Sequence, residues 1–397
     1  MKINDLHDSV AREIRDLIDL EGGPPGPETV GAVLRNESLP KAAARILQLQ
    51  DILNEVSRAN HGPEVSIHMT RSTSMRTGVH RVGTAHAAVL VPIGLIARIQ
   101  VMHRLLLSEW NREGQPQRFL VSIMDRPHDR WVPPRLKPLL SDLDEESDWW
   151  SALNQLDAAT SFDAAFAPDV IELNALTLSL VMCHEIAHVL RHHHEVVRKV
   201  MSKEFLFEVG DGNGRRPATK PELHRAKENE ADMIAAYLAV LILVRQAPSD
   251  RLQVGFLRLG YALTAMLALF HPRQLSLFDY LEGSEYPHPF VRYGAYMLDT
   301  ESCATQAGVD DAYERGTDIG ARKCFDALGW IETDIFTKGR FGGIGRGPDF
   351  DPTIHPLRAT DTFRLTLFKE QEKQRALALR LGTLITQMYG ELQLPQM

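Results

Sequence analysis

Cysteine is scarce in this sequence, and so is any surplus of positive charge. Cys183, Cys303 and Cys324 are the three cysteines among 397 residues, and no two of them form a C-x-x-C pair. An odd, widely spaced set of this kind argues against a disulfide framework and is consistent with a reducing cytoplasm. The formal net charge is −8, whereas a nucleic-acid-binding domain favours a basic surface. We therefore expect a cytoplasmic protein that has no nucleic acid as its partner.

Long apolar runs are missing as well. The two longest, Met233–Val244 and Leu259–Phe270, hold about twelve residues each, whereas a membrane span needs roughly 20. Residues 1–19 mix charges with isolated apolar residues and lack the apolar core of a signal peptide. These absences predict a chain without a membrane span, in which both runs are buried core helices.

The composition that remains, 44% hydrophobic and 24% charged residues, is that of an ordinary globular protein. Patterns of helical spacing and of strand alternation divide the chain into segments. The helical segments are 6–18, 42–56 and 361–390, and the strand candidates are Val65–Met69, Ala87–Val91 and Phe119–Met124. These segments predict an α+β, predominantly helical fold. We expect a helical N-terminal region (1–62), a central domain (63–300) and a helical C-terminal region (301–397).

The motif His184-Glu185-Ile186-Ala187-His188 lies inside a helical pattern that runs from Leu173 to Val200. Residues four apart share a helix face, so His184 and His188 can direct both imidazoles at one ion. Glu185 lies about 100° further round the helix, where it can reach a water beside that ion. Two imidazoles and a carboxylate suit zinc, with one position left open. Because this helix is apolar almost all round, we expect it to be buried, and buried histidines need partners.

A second helical pattern, from Pro221 to Gln246, supplies a third ligand. Glu228 and Asp232 are four apart and share one face, whereas Glu230 lies about 200° away from Glu228. Only one of the two glutamates can therefore face the motif helix. We choose Glu228 because it brings Asp232 with it, and an aspartate there can accept the outer N–H of a ligand histidine and fix its tautomer.

His194 is the alternative third ligand, since it follows His184 by the spacing found in metzincins. That geometry requires a glycine at position 191 to turn the chain out of the helix, and this sequence has Arg191. Without the turn, His194 points away from the ion. We interpret His192, His193 and His194 as a solvated polar end of the helix, where a protonated histidine suits the negative helix terminus.

These motifs make residues 165–295 resemble the gluzincin metallopeptidases. The stretch Glu228-Asn-Glu-Ala-Asp232 is similar to that of the membrane-bound CAAX-type and HtpX-like proteases, and Tyr286-Pro-His-Pro-Phe-Val-Arg292 resembles their downstream His-Pro…Arg segment. The arginine is closer to the His-Pro pair than in that family, and the membrane helices are missing. The soluble Lit-like phage-exclusion peptidases are therefore the better comparison. The resemblance implies a zincin-like core at 63–300, in which a small sheet precedes the two ligand helices.

The resemblance implies a zinc metalloendopeptidase that hydrolyses a protein or peptide substrate. Zn²⁺ would be held by His184, His188 and Glu228, with Glu185 as the general base and His288 or Tyr286 helping to stabilise the oxyanion. Two alternatives stay open. The chain is a defence or toxin protease that cleaves one host protein only when triggered, or it is a catalytically inactive zinc-binding interaction protein.

Overall fold

The computed structural model describes residues 3–26, 39–59, 62–72, 74, 77–82, 85–100, 103, 167–191, 193, 219–246, 248–269, 289–317 and 361–391. Within these ranges the chain is mostly helical and has one three-stranded sheet. The prediction of an α+β, predominantly helical protein is thus confirmed. The elements are α1 (Ile3–Leu20), α2 (Leu39–Ala59), β1 (Glu64–Thr70), β2 (Gly78–Val82), β3 (His86–Pro92), α3 (Ala167–Leu190), α4 (Lys220–Gln246), α5 (Leu252–Leu269), α6 (Pro289–Gln306) and α7 (Asp361–Glu391).

The sheet has the strand order β1-β3-β2, with β1 parallel to β3 and β2 antiparallel to it. The strand predictions Val65–Met69 and Ala87–Val91 are confirmed, and each strand is longer by one residue at both ends. β2 was missed because Gly78, His80 and Arg81 interrupt its apolar pattern. The third strand candidate, Phe119–Met124, lies outside the described residues.

One edge of this sheet is covered by side chains from α2. The Asn54 side chain donates to the carbonyl of Val65 at 2.8 Å and accepts from the Val65 N–H at 2.6 Å. Gln50 Oε1 accepts from the N–H of Ile67 at 2.9 Å. These amides take the backbone positions that a neighbouring strand would occupy on β1. Within the part of the chain that the structure describes, β2 forms the other edge of the sheet.

Helix α3 lies in the core, as the sequence predicts, and it packs against α4, α5 and the sheet. Leu180, Met182 and Ile186 are buried on it. The helix is shorter than expected at its C-terminal end, because it stops at Leu190. By length and composition alone, Val170–Leu190 is apolar enough to cross a membrane, and half of this segment is buried inside the protein. A core helix has the same properties, so the absence of a membrane span and the cytoplasmic location stay predictions.

The C-terminal segment 361–390, predicted as one or two helices, is the single helix α7. It packs along α4 and α6. Lys373 Nζ lies 3.2 Å from Glu222 Oε1 at the start of α4. Arg375 lies 2.6 Å from Asp299 on α6. The helix therefore contacts two of the helices that follow the motif helix, while the division of the chain at residues 62 and 300 stays a prediction.

Candidate metal centre

Three side chains from α3 and α4 converge on one point. His184 Nε2 lies 3.1 Å from Glu228 Oε2 and 3.2 Å from His188 Nε2. The third distance, from His188 Nε2 to Glu228 Oε2, is 3.7 Å. We call these three atoms the ligand triangle. His188 and Glu228 are buried and His184 nearly so. Among the described residues, they make up the group of histidines and acids that could hold a metal ion.

The dimensions of the ligand triangle suit a small tetrahedral ion. Two ligand atoms that each lie about 2.0–2.1 Å from such an ion are about 3.3 Å apart. The observed separations of 3.1, 3.2 and 3.7 Å bracket this value. Donor types and spacing therefore both fit Zn²⁺, and little rearrangement would be needed to bind it.

The close approach of α3 and α4 follows from small residues on α4. Ala231 and Ala235 are both completely buried, and their short side chains allow the helix backbones to come near one another. Glu228 lies one turn before these alanines on α4. The glutamate chosen by helical geometry is thus the one that the structure brings to the two histidines.

Behind His184 is a short polar chain that we call the Asp232 arm: His184, Asp232 and Arg292. His184 Nδ1 lies 2.8 Å from Asp232 Oδ1. The guanidinium of Arg292 on α6 donates twice to the same carboxylate, at 2.7 Å from Nε to Oδ2 and 2.7 Å from Nη2 to Oδ1. Burial raises the pKa of the Asp232 carboxyl, but the charge of Arg292 and the bond to His184 outweigh burial and lower it. Asp232 is therefore an anion that accepts the outer N–H of His184.

Behind His188 is a longer chain, the Glu230 arm: His188, His193, Glu230 and Arg191. His188 Nδ1 lies 2.7 Å from His193 Nδ1, and His193 Nε2 lies 2.9 Å from Glu230 Oε2. Arg191 Nε donates to Glu230 Oε1 at 2.7 Å. Glu230 thus lies outside the ligand triangle and binds Arg191 and His193, which directly follow the end of α3.

The prediction of a solvated polar end at His192–His194 is wrong for His193, whose side chain is completely buried. The reason is that α3 ends at Leu190 and the chain then turns, which brings the His193 ring beside that of His188. Burial lowers the pKa of His193 to about 4, despite the bond to Glu230 that raises it. The ring is therefore neutral at pH 7. His192 and the alternative ligand His194 lie outside the described residues.

The two arms bind the outer nitrogens of His184 and His188, so the atoms of the ligand triangle can offer lone pairs to a cation. Asp232 accepts a hydrogen bond from the Nδ1–H of His184, so Nε2 carries a lone pair when that ring is neutral. Glu228 Oε2 is an acceptor too, because the nearby imidazoles outweigh burial and hold the pKa of that carboxyl well below its usual range. Burial lowers the pKa of His184, but its bonds to Asp232 and Glu228 raise it to about 9. In the absence of a cation, a proton on Nε2 would neutralise the cluster.

Glu185 lies at the rim of this centre and has a partner that the sequence does not indicate. Thr77 Oγ1 donates to Glu185 Oε1 at 2.8 Å. Thr77 immediately precedes β2, so the sheet edge and the motif helix meet at this bond. The two residues are 108 positions apart, and a lone threonine beside a short strand has no pattern that marks it in advance. Lys227 Nζ lies 3.1 Å from Glu228 Oε1, the oxygen outside the ligand triangle.

Of the remaining predicted site residues, His288 and Tyr286 lie outside the described residues. Arg292, at the end of the same sequence segment, is part of the Asp232 arm. No protein-family model, curated protein or solved structure matches this chain. Any function must therefore be argued from the site itself.

Proposed function

We propose that this chain is a zinc-dependent peptidase with a zincin-like core, in which His184, His188 and Glu228 hold the ion. The observation that carries the proposal is the convergence of three acceptor atoms, 3.1–3.7 Å apart, in a buried position. Buried acceptors that face one another are unfavourable unless a cation or a proton lies between them. Each outer nitrogen is already bound by an arm, as is usual for metal-ligating histidines.

Zinc, when bound, supplies a Lewis acid that polarises a carbonyl and makes water acidic enough to be deprotonated near neutral pH. The chain's own contribution to the reaction comes from Glu185. Its carboxylate accepts a proton from the attacking water as the water oxygen joins the carbonyl carbon. It then delivers that proton to the nitrogen as the C–N bond breaks. Thr77 holds Oε1 of this carboxylate at 2.8 Å, which leaves Oε2 for the water.

Peptide is the proposed substrate class because of the two sheet edges. The β1 edge is closed to a further strand, since Asn54 and Gln50 bind its backbone. Among the described strands β2 is the opposite edge, and it begins directly after the threonine that binds Glu185. An extended segment paired with β2 would be aligned by main-chain hydrogen bonds and carried past the general base.

The experiment compares Glu185→Gln with Glu172→Gln in full-length, zinc-loaded protein. Glu172 lies on the same helix about 20 Å before the motif, so it controls for loss of a carboxylate from α3. We expect Glu185→Gln to keep its zinc and to lose hydrolysis by about 10²–10⁴-fold. Glu172→Gln should cleave normally. The readout is the set of new protein termini in cells that produce each variant, followed by cleavage of the identified substrate in vitro.

Full hydrolysis by Glu185→Gln would refute the assigned base. Tightly held zinc without hydrolysis by the parent protein, even with the cell's own proteins as substrates, would instead favour an interaction protein. A hydroxamate provides an independent check, since it needs an open position on the ion. Inhibition at low concentration is expected for an enzyme, and an inert site would not respond.

A further inference from the structure

The C-terminal helix α7 contacts the Glu230 arm directly. Arg191 Nη2 donates to the carbonyl oxygen of Gly382 at 2.7 Å and lies 3.3 Å from Thr386 Oγ1. Through Nε the same guanidinium binds Glu230. Arg191 therefore joins the backbone of α7 to the carboxylate of α4. Position 382 is 191 residues beyond Arg191, so this contact exists only when α7 is packed in place.

Gly382 is a glycine because the Glu230 carboxylate occupies the space of a side chain. A Cβ at this position would lie 2.6 Å from Glu230 Oε1 and 3.4 Å from Arg191 Nη2. A free glutamate would move aside, but both oxygens of Glu230 are held, one by Arg191 and one by His193. Any side chain at position 382 must therefore displace α7 or disturb the arm.

The Glu230 arm also determines which nitrogen of His188 carries the hydrogen. An ionised carboxylate only accepts hydrogen bonds, so Nε2 of His193 must donate to Glu230. Nδ1 of the neutral His193 ring is then an acceptor, and Nδ1 of His188 must donate to it. That leaves the lone pair of His188 on Nε2, the atom in the ligand triangle. If Glu230 donated to Nε2 of His193 instead of accepting from it, the hydrogen bond between His193 and His188 would reverse its direction too.

We propose that His193, Glu230 and Arg191 are positioning residues for His188, and that packing of α7 on this arm is coupled to metal binding. The proposal rests on the metal centre but not on peptidase activity. Coupling of this kind is reciprocal: if packing of α7 favours metal binding, metal binding favours packing of α7 by the same free energy. The C-terminal helix is then coupled to the metal site through the bond between Arg191 and the Gly382 carbonyl.

Glu230→Gln tests the orientation of the arm with almost no change of shape. Arg191 Nε–H keeps the amide oxygen on its side, which turns the amide NH₂ toward His193. His193 then accepts at Nε2 and donates from Nδ1, and the hydrogen of His188 moves to Nε2. We expect zinc affinity, measured by chelator competition on the full chain, to fall at least about tenfold. The visible absorption spectrum of the Co²⁺-substituted protein should change as well, since a ligand is lost.

A pair of threonine variants tests the contact with α7. Thr383 and Thr386 each donate to the carbonyl four residues earlier on α7, at 2.9 Å in both cases, and both are exposed. Thr386 also lies beside Arg191. Thr386→Val should weaken zinc binding by a few-fold, and Thr383→Val, with the same local loss, should leave it unchanged. Gly382→Ala should weaken binding more than Thr386→Val.

Reciprocity provides a readout that does not depend on a mutation in the site. Zinc should slow amide hydrogen exchange around Gly382 in the parent protein, and this protection should be lost in Glu230→Gln. The proposal is overturned if folded Glu230→Gln binds zinc and gives a Co²⁺ spectrum like the parent. It is also overturned if both threonine variants behave alike, a comparison that holds even where Glu230→Gln does not fold. Loss of peptidase activity alone decides neither point.

Discussion

The two histidines of the candidate metal centre are held in different ways, although their Nε2 atoms lie 3.2 Å apart. His184 has a carboxylate directly on its outer nitrogen, and that carboxylate is bound at both oxygens by Arg292. His188 has a neutral imidazole between itself and the carboxylate. A carboxylate bonded directly to a histidine makes that histidine a stronger base. A neutral imidazole between the two fixes the orientation of the histidine but conveys less of the negative charge. The Asp232 arm therefore provides charge, and the Glu230 arm provides alignment and a connection to α7.

The largest expected difference between the arms is in stability. Arg292→Met leaves the fully buried Asp232 without its cation, and breaking a buried pair in this way costs about 3–5 kcal/mol. Arg191→Met should cost less, since Arg191 binds one oxygen of Glu230, whereas Arg292 binds both oxygens of the more deeply buried Asp232. Urea unfolding of the metal-free proteins would measure both. Equal losses in the free energy of unfolding would show that the two arms depend equally on their arginines, which would contradict this expected difference.

Metal affinity gives the next difference. Asp232→Asn keeps the shape of the side chain but removes the negative charge beside His184. Its amide NH₂ is a donor that faces the donors of Arg292. We expect zinc binding to weaken toward the upper end of the 10–100-fold range found for such partners. Glu230→Gln should lie near the lower end, because its charge is one ring further away. Chelator competition under identical conditions would rank the zinc affinities of the two variants. The opposite ranking would contradict the conclusion that the Asp232 arm provides the charge.

Lys227 belongs to neither arm and should change affinity in the opposite direction. Its ammonium lies 3.1 Å from Glu228 Oε1, so its positive charge would repel a dication bound to the same carboxylate. We expect Lys227→Met to tighten zinc binding by about two- to tenfold, since a partly buried positive charge is removed. Lys369→Met, on α7, is a suitable control for loss of one surface charge. Weaker binding in Lys227→Met would mean that the lysine mainly positions Glu228.

The smallest effect concerns the pH dependence of α7 packing at Asp299, which binds Arg375 on α7. Burial raises the pKa of Asp299 from 3.8 to about 6, despite the opposing charge of Arg375. Between these two values the folded state binds more protons than the unfolded state, so this carboxyl makes stability fall as pH rises from about 4 to about 6. Asp299→Asn should lose that slope. Denaturation of the metal-free parent and of Asp299→Asn at several pH values would measure the slope. Parallel curves of stability against pH for the two proteins would count against the prediction.

Much of the ligand set could be predicted because it depends on local geometry. His184 and His188 share a face by helical spacing alone, and the same spacing links Glu228 to Asp232. The angle between Glu228 and Glu230 allowed only one of them to face the motif helix, and Glu228 was preferred because Asp232 shares its face. Those arguments need only the helix period, which any stable helix must obey.

The supporting contacts were beyond such reasoning. Thr77 and Glu185 are separated by 108 positions, and Arg191 and Gly382 by 191. The burial of His193 was predicted wrongly, since it depends on where α3 ends and how the chain then turns. Periodicity describes which face a residue occupies, but it does not describe what another part of the chain places opposite that face.

The sequence by itself determined two helices, each with a polar stripe of defined spacing, and an α+β chain with few strands. It determined the donor types for a cation as well, because side-chain chemistry is independent of the fold. Only the tertiary structure decided that the two stripes meet, that Thr77 holds Glu185 and that α7 closes on Glu230. Those outcomes depend on how closely the helices approach, and that distance is set by the packing of buried residues from every element at once.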